Sequence, residues 1–124
     1  MAENARQLLG RTGEDLAADH LVRQGFRILE RNYRTRFGEL DIVAFDGRTL
    51  VFCEVKSRTL NRSAISPFES VHPAKRAQVR RMARGWLAAG GERPFAAAIR
   101  FDAVGIVFDR AGRLVALEHL EAAF

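Results

Sequence analysis

The chain has 124 residues, 48% of them hydrophobic, which suits a single domain over residues 1–124 with a core of its own. No apolar run is long enough to span a membrane, and the N-terminal residues lack the apolar segment of a secretory signal, so we expect a cytoplasmic protein without membrane contacts. The single cysteine, Cys53, excludes an internal disulfide, and one cysteine with three histidines is too few for a closed zinc site.

The charge balance favours a polyanionic partner. The net charge of +5 fits nucleic acid, although a generic basic surface would give the same value. Eighteen of the 20 basic residues are Arg, and the two Lys are Lys56 and Lys75. Lys is a compact cation whose pKa can shift, whereas Arg is a wide planar fork that keeps its proton. This composition singles out Lys56, which stands beside acidic residues, as a candidate catalytic group.

The first predicted element is a helix over about Asn4 to Gly25, with a capping-box pattern at Thr12 that offers a later start. Glu14 falls on the inward stripe near the start of this helix, so it points towards the core. A first-turn Glu that complements the helix dipole is the equally weighted alternative. The apolar stripe consists of Leu16, Ala17, Ala18 and Leu21.

A strand over about Phe26 to Tyr33 precedes the stretch that organises the chain, two apolar runs flanking an Asp46-Gly47 turn. If the hairpin loop is the four residues Asp46 to Thr49, Asp41 falls directly opposite Glu54. If the loop is only Asp46-Gly47, Asp41 faces Phe52 and Glu54 is its diagonal neighbour.

Strict alternation along these strands predicts which side chains share a face. One face is assigned Glu39, Asp41, Val43 and Phe45 from the first strand and Leu50, Phe52, Glu54 and Lys56 from the second. Both faces are otherwise apolar, so we expect a sheet that is covered on both sides. Because a lone buried charge costs several kcal/mol, the carboxylates need a partner, a proton or a metal.

The stretch from Arg58 to Pro67 is predicted to be a flexible loop, either facing the substrate or simply at the surface. A second helix follows over about Pro73 to Ala89, with Lys75 on its inward line. A basic ridge on another face of this helix suits phosphates or is an ordinary solvated face. The ridge consists of Arg76, Arg80 and Arg84, with Arg81 beside them.

Two final strands are predicted over Phe95 to Asp109 and Leu114 to Leu120. Arg100 and Asp102 share a face of the first of them, and we expect an ion pair there rather than a site. The predicted order is α-β-β-β-α-β-β, an α/β domain with a central sheet flanked by helices.

Glu14, Asp41 and Glu54, with Glu39 as a further candidate, put three or four carboxylates beside one lysine. Protonation of one carboxylate would relieve the crowding. A divalent cation is the simpler balance, and all-oxygen ligands suit Mg²⁺ or Mn²⁺. Such a metal clamps a phosphate and lowers the pKa of bound water, and Lys56 would orient that water. Paired acids for sugar hydrolysis would need an aromatic-lined cleft, which the sequence does not predict.

These residues resemble the PD-(D/E)xK nuclease core, in particular its archaeal Holliday-junction-resolvase branch, and the whole chain resembles the YraN-like family of bacterial proteins. The matching stretches are Gly10-Arg-Thr-Gly-Glu14, Arg31-Asn-Tyr33, Gly38-Glu-Leu-Asp-Ile-Val-Ala44, Val51-Phe-Cys-Glu-Val-Lys-Ser-Arg58, Lys75, Arg100-Phe-Asp102 and Glu118-His-Leu-Glu-Ala-Ala-Phe124. The resemblance implies a restriction endonuclease-like fold with a central mixed β-sheet. It maps Glu14, Asp41 and Glu54 onto metal ligands and Lys56 onto the catalytic lysine.

Three functions follow from this sequence. The first is a Mg²⁺- or Mn²⁺-dependent endonuclease acting on branched or otherwise structured DNA. The basic ridge together with Arg58 and Lys75 would bind this DNA, and Ser57 is an additional candidate site residue. The second is a nucleic-acid-binding module that kept the fold without turnover. The third is a structural or assembly partner in which the acidic cluster is neutralised. Analogy with the resolvases also makes a homodimer an alternative to a monomer.

Overall fold

Two helices and five strands form the domain in the computed structural model, which describes residues 5–60, 73–90 and 93–124. The elements are α1 (Ala5–Arg23), β1 (Arg27–Thr35), β2 (Gly38–Phe45), β3 (Thr49–Thr59), α2 (Pro73–Ala88), β4 (Ala98–Phe108) and β5 (Leu114–Leu120). The predicted α/β order is confirmed. The predicted start of the first loop is wrong, because Arg58 and Thr59 continue β3; residues 61–67 of that loop, like Asn4, lie outside the described residues.

The five strands form one mixed sheet in the order β1-β2-β3-β4-β5. All neighbours are antiparallel except β3 and β4, which run parallel from Thr49↔Ala98 to Thr59↔Phe108. The parallel pair requires a crossover, and α2 is part of the connection between those two strands. The carboxyl end of β3 and the beginning of α2 are therefore adjacent in the chain order, and both carry candidate site residues.

The β2–β3 hairpin has the longer of the two predicted loops, because Phe45 pairs with Leu50. Asp46 holds this loop with its carboxylate, which accepts hydrogen bonds from the backbone N–H groups of Arg48 (2.9 Å) and Thr49 (2.7 Å). These bonds lower the pKa of Asp46. Gly47 takes a φ of +98°, which glycine adopts without strain. The turn chemistry thus sets the register that puts Asp41 at the position facing Glu54.

Apolar side chains cover both faces of the sheet, as predicted. One face, called here the α1 face, packs its strand residues against α1 and contains Cys53, whose burial raises the pKa of its thiol. The other, the α2 face, packs against α2 and contains Trp86. The buried α1-face core consists of Ala17, Ala18, Leu21, Phe26, Ile42, Ala44, Val51, Cys53, Val104, Ile106 and Phe108. The buried α2-face core consists of Leu40, Val43, Leu50, Phe52, Val79, Met82, Ala83 and Trp86.

Helix α1 ends in a motif that fixes its exit towards β1. Gly25 has a φ of +98°, its N–H donates to Val22 O (3.0 Å), and the N–H of Phe26 donates to Leu21 O (3.0 Å). This pair of bonds satisfies carbonyls that the helix end would leave free, and it turns the chain back onto the sheet. Neither helix in the described ranges is both long and apolar enough to cross a membrane.

Candidate active site

Strand β2 changes face at Asp41. Leu40 and Val43 belong to the α2-face core, whereas Ile42 belongs to the α1-face core, although Leu40 and Ile42 are two residues apart. Strict alternation would put those two side chains on the same face. The predicted common face for Glu39, Asp41, Val43 and Phe45 is therefore wrong, because the alternation breaks between Leu40 and Ile42.

The break has a counterpart in the neighbouring strand at Asn32. Arg31 pairs with Ile42 and Tyr33 pairs with Leu40, so Asn32 occupies the register position opposite Asp41. Its φ is +54°, a left-handed conformation that Asn adopts more readily than most residues. The Asn32 side chain is hydrogen-bonded to Glu14. The sequence reasoning included Asn32 only as part of a basic segment. That the residue is an Asn was the signal that could have indicated an irregular position in the strand.

The irregularity brings three carboxylates together. One oxygen each from Glu14, Glu39 and Asp41 lies within 4.8 Å of the other two, and all three residues are half-buried. Burial raises the pKa of Glu14, although the hydrogen bond from Asn32 and the charge of Arg31 partly oppose the shift. Glu14 was predicted to point inward, and the structure places it beside the two β2 acids.

Helix α1 reaches this position because Gly13 has no side chain. A Cβ atom at Gly13 would lie 1.8 Å from the Oγ of Ser57 near the end of β3. The helix therefore approaches β3 as closely as its backbone allows, and the next residue, Glu14, is carried to the acidic cluster. The Ser57 Oγ is itself buried and has no hydrogen-bond partner within the described chain.

Asp41 connects β2 to β3. Its Oδ2 accepts a hydrogen bond of 2.8 Å from the backbone N–H of Val55, and its carboxyl is hydrogen-bonded to that of Glu54. Burial, followed by the negative charge of Glu54, raises the pKa of Asp41 to about 8. Two hydrogen-bonded carboxyl groups share a proton when no cation balances their negative charge.

Glu54 is 5% exposed and is reached by a cation from α2. The Nζ of Lys75 lies 3.3 Å from Glu54 Oε1, which is a close ion pair. Oε1 nevertheless accepts no hydrogen bond of acceptable geometry from the described residues. The Lys75 ammonium therefore compensates the charge of Glu54. Because Oε1 accepts no hydrogen bond from the described residues, it is able to coordinate a metal ion. The inward direction predicted for Lys75 is confirmed.

The other predicted basic residues are less tightly placed. Lys56 is half-buried, and its ammonium makes no ion pair or hydrogen bond with any residue in the described ranges. Arg58 is half-buried near the end of β3 and has contacts of its own. In the ridge, Arg76, Arg80 and Arg84 are all exposed. Arg80 is partly engaged within the chain, because it lies 4.6 Å over the Phe101 ring and donates to Phe124 O (2.8 Å).

Most of the chain just described matches a known protein family. The sequence pattern of the uncharacterised protein family UPF0102 covers residues 13–106, from Gly13, which lies beside Ser57, to Ile106 in β4. The chain belongs to the UPF0102 family.

Relatives in UPF0102 extend the likeness over nearly the full chain. The UPF0102 protein of Pelotomaculum thermopropionicum is 44% identical over 121 residues, 98% of both chains. That of Frankia alni is 47% identical over 125 residues, 100% of both. That of Acidothermus cellulolyticus is 56% identical over 84 residues, 68% of this chain and 63% of the relative. The predicted resemblance to the YraN-like family, which is this family, is confirmed.

The acidic cluster of this UPF0102 chain has the donor set of a hard divalent cation. Its members Glu14, Glu39 and Asp41 are carboxylates, and Glu54, which is hydrogen-bonded to Asp41, retains an oxygen without a hydrogen bond. Asp41 needs a proton at neutral pH in the absence of another positive charge. Mg²⁺ and Mn²⁺ prefer oxygen ligands and would replace that proton. Glu14, Glu39, Asp41 and Glu54 are therefore the residues that fit such an ion.

A second polar cluster lies on the α1 face of this UPF0102 chain. The sequence analysis predicted only the ion pair within it and not the two histidines. Asp102 is fully buried and accepts two hydrogen bonds from Arg100 (2.8 and 2.9 Å), which confirms the predicted pair. It also lies 2.7 Å from His119 Nε2, and His119 Nδ1 lies 3.0 Å from His20 Nε2. His20 on α1 and His119 on β5 are 99 residues apart, so no local pattern could have joined them.

Proposed function

We propose that this protein is a divalent-metal-dependent nuclease that hydrolyses phosphodiester bonds in DNA. The observation that carries the proposal is the convergence of the carboxylates of Glu14, Glu39 and Asp41 within 4.8 Å, with Glu54 hydrogen-bonded to Asp41. Such a group of buried acids is costly unless positive charge balances it. The resemblance of its residues to the PD-(D/E)xK core supports DNA, with branched or structured DNA as the first substrates to examine.

The residues have distinct roles in this proposal. Glu14, Asp41 and Glu54 hold Mg²⁺ or Mn²⁺ in this proposal. Glu39 is a further ligand candidate because its oxygen lies within 4.8 Å of those of Glu14 and Asp41, and Glu54 joins that group through its hydrogen bond to Asp41. The bound ion supplies Lewis-acid activation of the phosphate and of water. The Val55 N–H fixes the Asp41 carboxylate through its 2.8 Å bond, so that this ligand needs little reorganisation.

The two lysines are assigned by their positions. Lys56 follows Glu54 by two residues and is half-buried without an ion-pair partner in the described ranges, so its ammonium is available to orient water or to contact the phosphate. Lys75 compensates Glu54 across 3.3 Å. The exposed ridge Arg76, Arg80 and Arg84, with Arg58, supports phosphate binding by charge.

The test is metal-dependent cleavage of DNA. Wild-type protein and the variants Asp41→Asn, Glu54→Gln and Lys56→Met are incubated with four-way junctions, flaps and single strands in Mg²⁺ or Mn²⁺. Asp19→Asn, which removes an exposed carboxylate of α1, is the matched control. We expect cleavage by wild type and the control and a loss of at least about a hundredfold in the three site variants. Equal cleavage by all five proteins would identify a contaminating nuclease and reject the proposal.

A nucleic-acid-binding module without turnover is the second candidate, and the Lys75–Glu54 ion pair favours it. With one carboxylate compensated by Lys75 and a proton shared between Asp41 and Glu54, the cluster is partly neutralised without a metal. This candidate requires salt-dependent DNA binding without metal affinity. Calorimetry that detects Mg²⁺ or Mn²⁺ binding in wild type, and its loss in Asp41→Asn, would reject it.

A further inference from the structure

We propose that Arg36 and Arg81 form a binding site for the phosphate backbone of the DNA substrate, with each Arg contacting one phosphate. The inference rests on the proposed function, because it extends the path of that substrate away from the acidic cluster. The site consists of the β1–β2 turn and the adjacent turn of α2. Arg81 follows Arg80 of the ridge in the chain, but it contacts Phe37, whereas Arg80 contacts Phe101.

Two guanidinium groups converge on one aromatic ring at this place. The central carbons of Arg36 and Arg81 each lie 4.9 Å from the centre of the Phe37 ring, so the two cations are separated by no more than twice that distance. Cation–π contacts hold such groups in place but do not neutralise them. Neither Arg has a carboxylate within ion-pair distance in the described part of the chain. Two guanidinium groups held within twice that 4.9 Å distance of each other, and without a carboxylate partner among the described residues, are suited to neighbouring phosphates of one DNA strand.

The turn that carries Arg36 is held firmly. The Thr35 hydroxyl donates to Gly38 O (2.9 Å) and accepts from the N–H of Phe37 (3.0 Å). The Gln78 amide donates to Phe37 O, which ties the turn to α2. Gly38 has a φ of +132°, and a Cβ there would lie 2.6 Å from Gln78 Nε2. A larger residue would separate the turn from the helix, so the two Arg residues are presented in a pre-organised arrangement.

Other Arg residues near the acidic cluster are already paired. Arg31 bonds to Asp15 (2.8 Å), and Arg34 lies 3.6 Å from Glu39. Arg80 donates to Phe124 O and stacks over Phe101. These contacts use charge or donors that a phosphate would otherwise take, whereas the charges of Arg36 and Arg81 remain available.

The position relative to the acidic cluster suits a continuous DNA strand. Phe37 lies in the turn just before β2 and precedes Asp41 by four residues, or about 13 Å at the rise of a strand. Arg81 follows Lys75 by six residues of α2, or about 9 Å along the helix. At about 3.4 Å per nucleotide, these lengths correspond to roughly three or four nucleotides from the reacting phosphate. The acidic cluster repels a DNA backbone, and a cationic site at this distance offsets that repulsion.

The test is DNA binding in EDTA, which does not depend on metal or turnover. Fluorescence anisotropy of a labelled duplex is measured for wild type, for Arg36→Gln/Arg81→Gln and for Arg27→Gln/Arg48→Gln. The second pair removes the same charge from exposed positions at the opposite end of the β1–β2–β3 sheet. We expect roughly tenfold weaker binding only in the Arg36/Arg81 variant, with a salt slope smaller by about 1.8 because two phosphate contacts are lost. Arg36→Lys/Arg81→Lys should retain most of that slope.

Several outcomes overturn the inference. Equal losses in the two Gln pairs would show a general charge effect, and a larger loss in Arg76→Gln/Arg84→Gln would place the contact on the ridge. Wild type that binds no DNA also overturns it. If the double variant unfolds, the single variants Arg36→Gln and Arg81→Gln are measured instead. If DNA binding depends on Arg36 and Arg81 but the protein has no metal affinity, the proposed nuclease function is rejected and the phosphate-binding site is supported. If the protein cleaves DNA with metal and the Arg36→Gln/Arg81→Gln variant binds DNA as tightly as wild type, the phosphate-binding site is rejected and the nuclease function is supported.

Discussion

Lys75 Nζ lies 3.3 Å from Glu54 Oε1, so a cation from α2 reaches the buried acid of β3. The Asp41 carboxyl is hydrogen-bonded to the same Glu54 side chain and has a pKa of about 8. Glu54 therefore lies between the Lys75 cation on one side and a protonatable acid on the other. A divalent ion bound by the carboxylates would compete with both of them.

The first prediction concerns the Lys75 cation. Lys75→Met should destabilise the metal-free protein by about 3 kcal/mol, because removing one partner leaves a buried charge uncompensated. The same variant should bind Mg²⁺ more tightly than wild type, since a competing cation is gone, and saturating Mg²⁺ should recover most of the lost stability. Urea unfolding and calorimetry measure the two effects. Arg76→Met removes an exposed neighbouring cation, and an equal effect in that variant would contradict the role of Lys75.

The second prediction is a pH dependence caused by Asp41. The pKa of Asp41 is about 8 in the folded protein, against an ordinary value of 3.8. A raised folded-state pKa means that the stabilising contribution is complete below pH 3.8 and is lost as the pH rises towards about 8. The metal-free protein should therefore lose stability over this range. Asp41→Asn should remove much of the loss and be more stable than wild type at pH 8 in EDTA.

Urea unfolding at a series of pH values in EDTA measures this dependence, with Asp19→Asn as the control for an exposed carboxylate of α1. Addition of Mg²⁺ should flatten the wild-type curve because the ion replaces the proton. Parallel curves for wild type and Asp41→Asn would show that Asp41 is not the titrating group.

The third prediction concerns the close approach of α1 to β3. Gly13→Ala should destabilise the protein by about 1–3 kcal/mol, because its Cβ would lie 1.8 Å from Ser57 Oγ. It should also weaken metal binding, since a displaced α1 carries Glu14 away from Glu39 and Asp41. Ser57→Ala removes the clashing oxygen, so the double variant should recover part of both losses. Losses that simply add in the double variant would reject the direct contact as their cause.

The fourth prediction concerns His20. Burial first, and then the charges of His119 and Arg23, lower the pKa of His20 below its ordinary 6.5. A lowered folded-state pKa means that its stabilising contribution is complete above pH 6.5 and is lost as the pH falls through the folded-state value. Around it, His119 is held by Asp102, and Asp102 is paired with Arg100. NMR titration should give a midpoint for His20 below 6.5, and a midpoint at or above 6.5 would contradict the structure.

Local chemistry explains why much of the fold was predictable. The Asp46-Gly47 turn selects its register through bonds to residues two and three positions away, and apolar periodicity marked both helices. The common face predicted for Glu39, Asp41, Val43 and Phe45 was wrong because alternation assumes regular strands. A left-handed Asn32 in the paired strand accompanies the break, and a pattern read along β2 alone contains no information about its neighbour.

The sequence by itself determined the element order, the covered sheet and the acids that form the candidate site, and it left two alternatives for the hairpin register. Each of these depends on residues close together in the chain or on the types of side chain present. Only the tertiary structure decided which cation pairs with Glu54, how closely α1 approaches Ser57, and that His20 meets His119. Those contacts join separate elements, and their geometry depends on how helices and strands pack, which no local periodicity specifies.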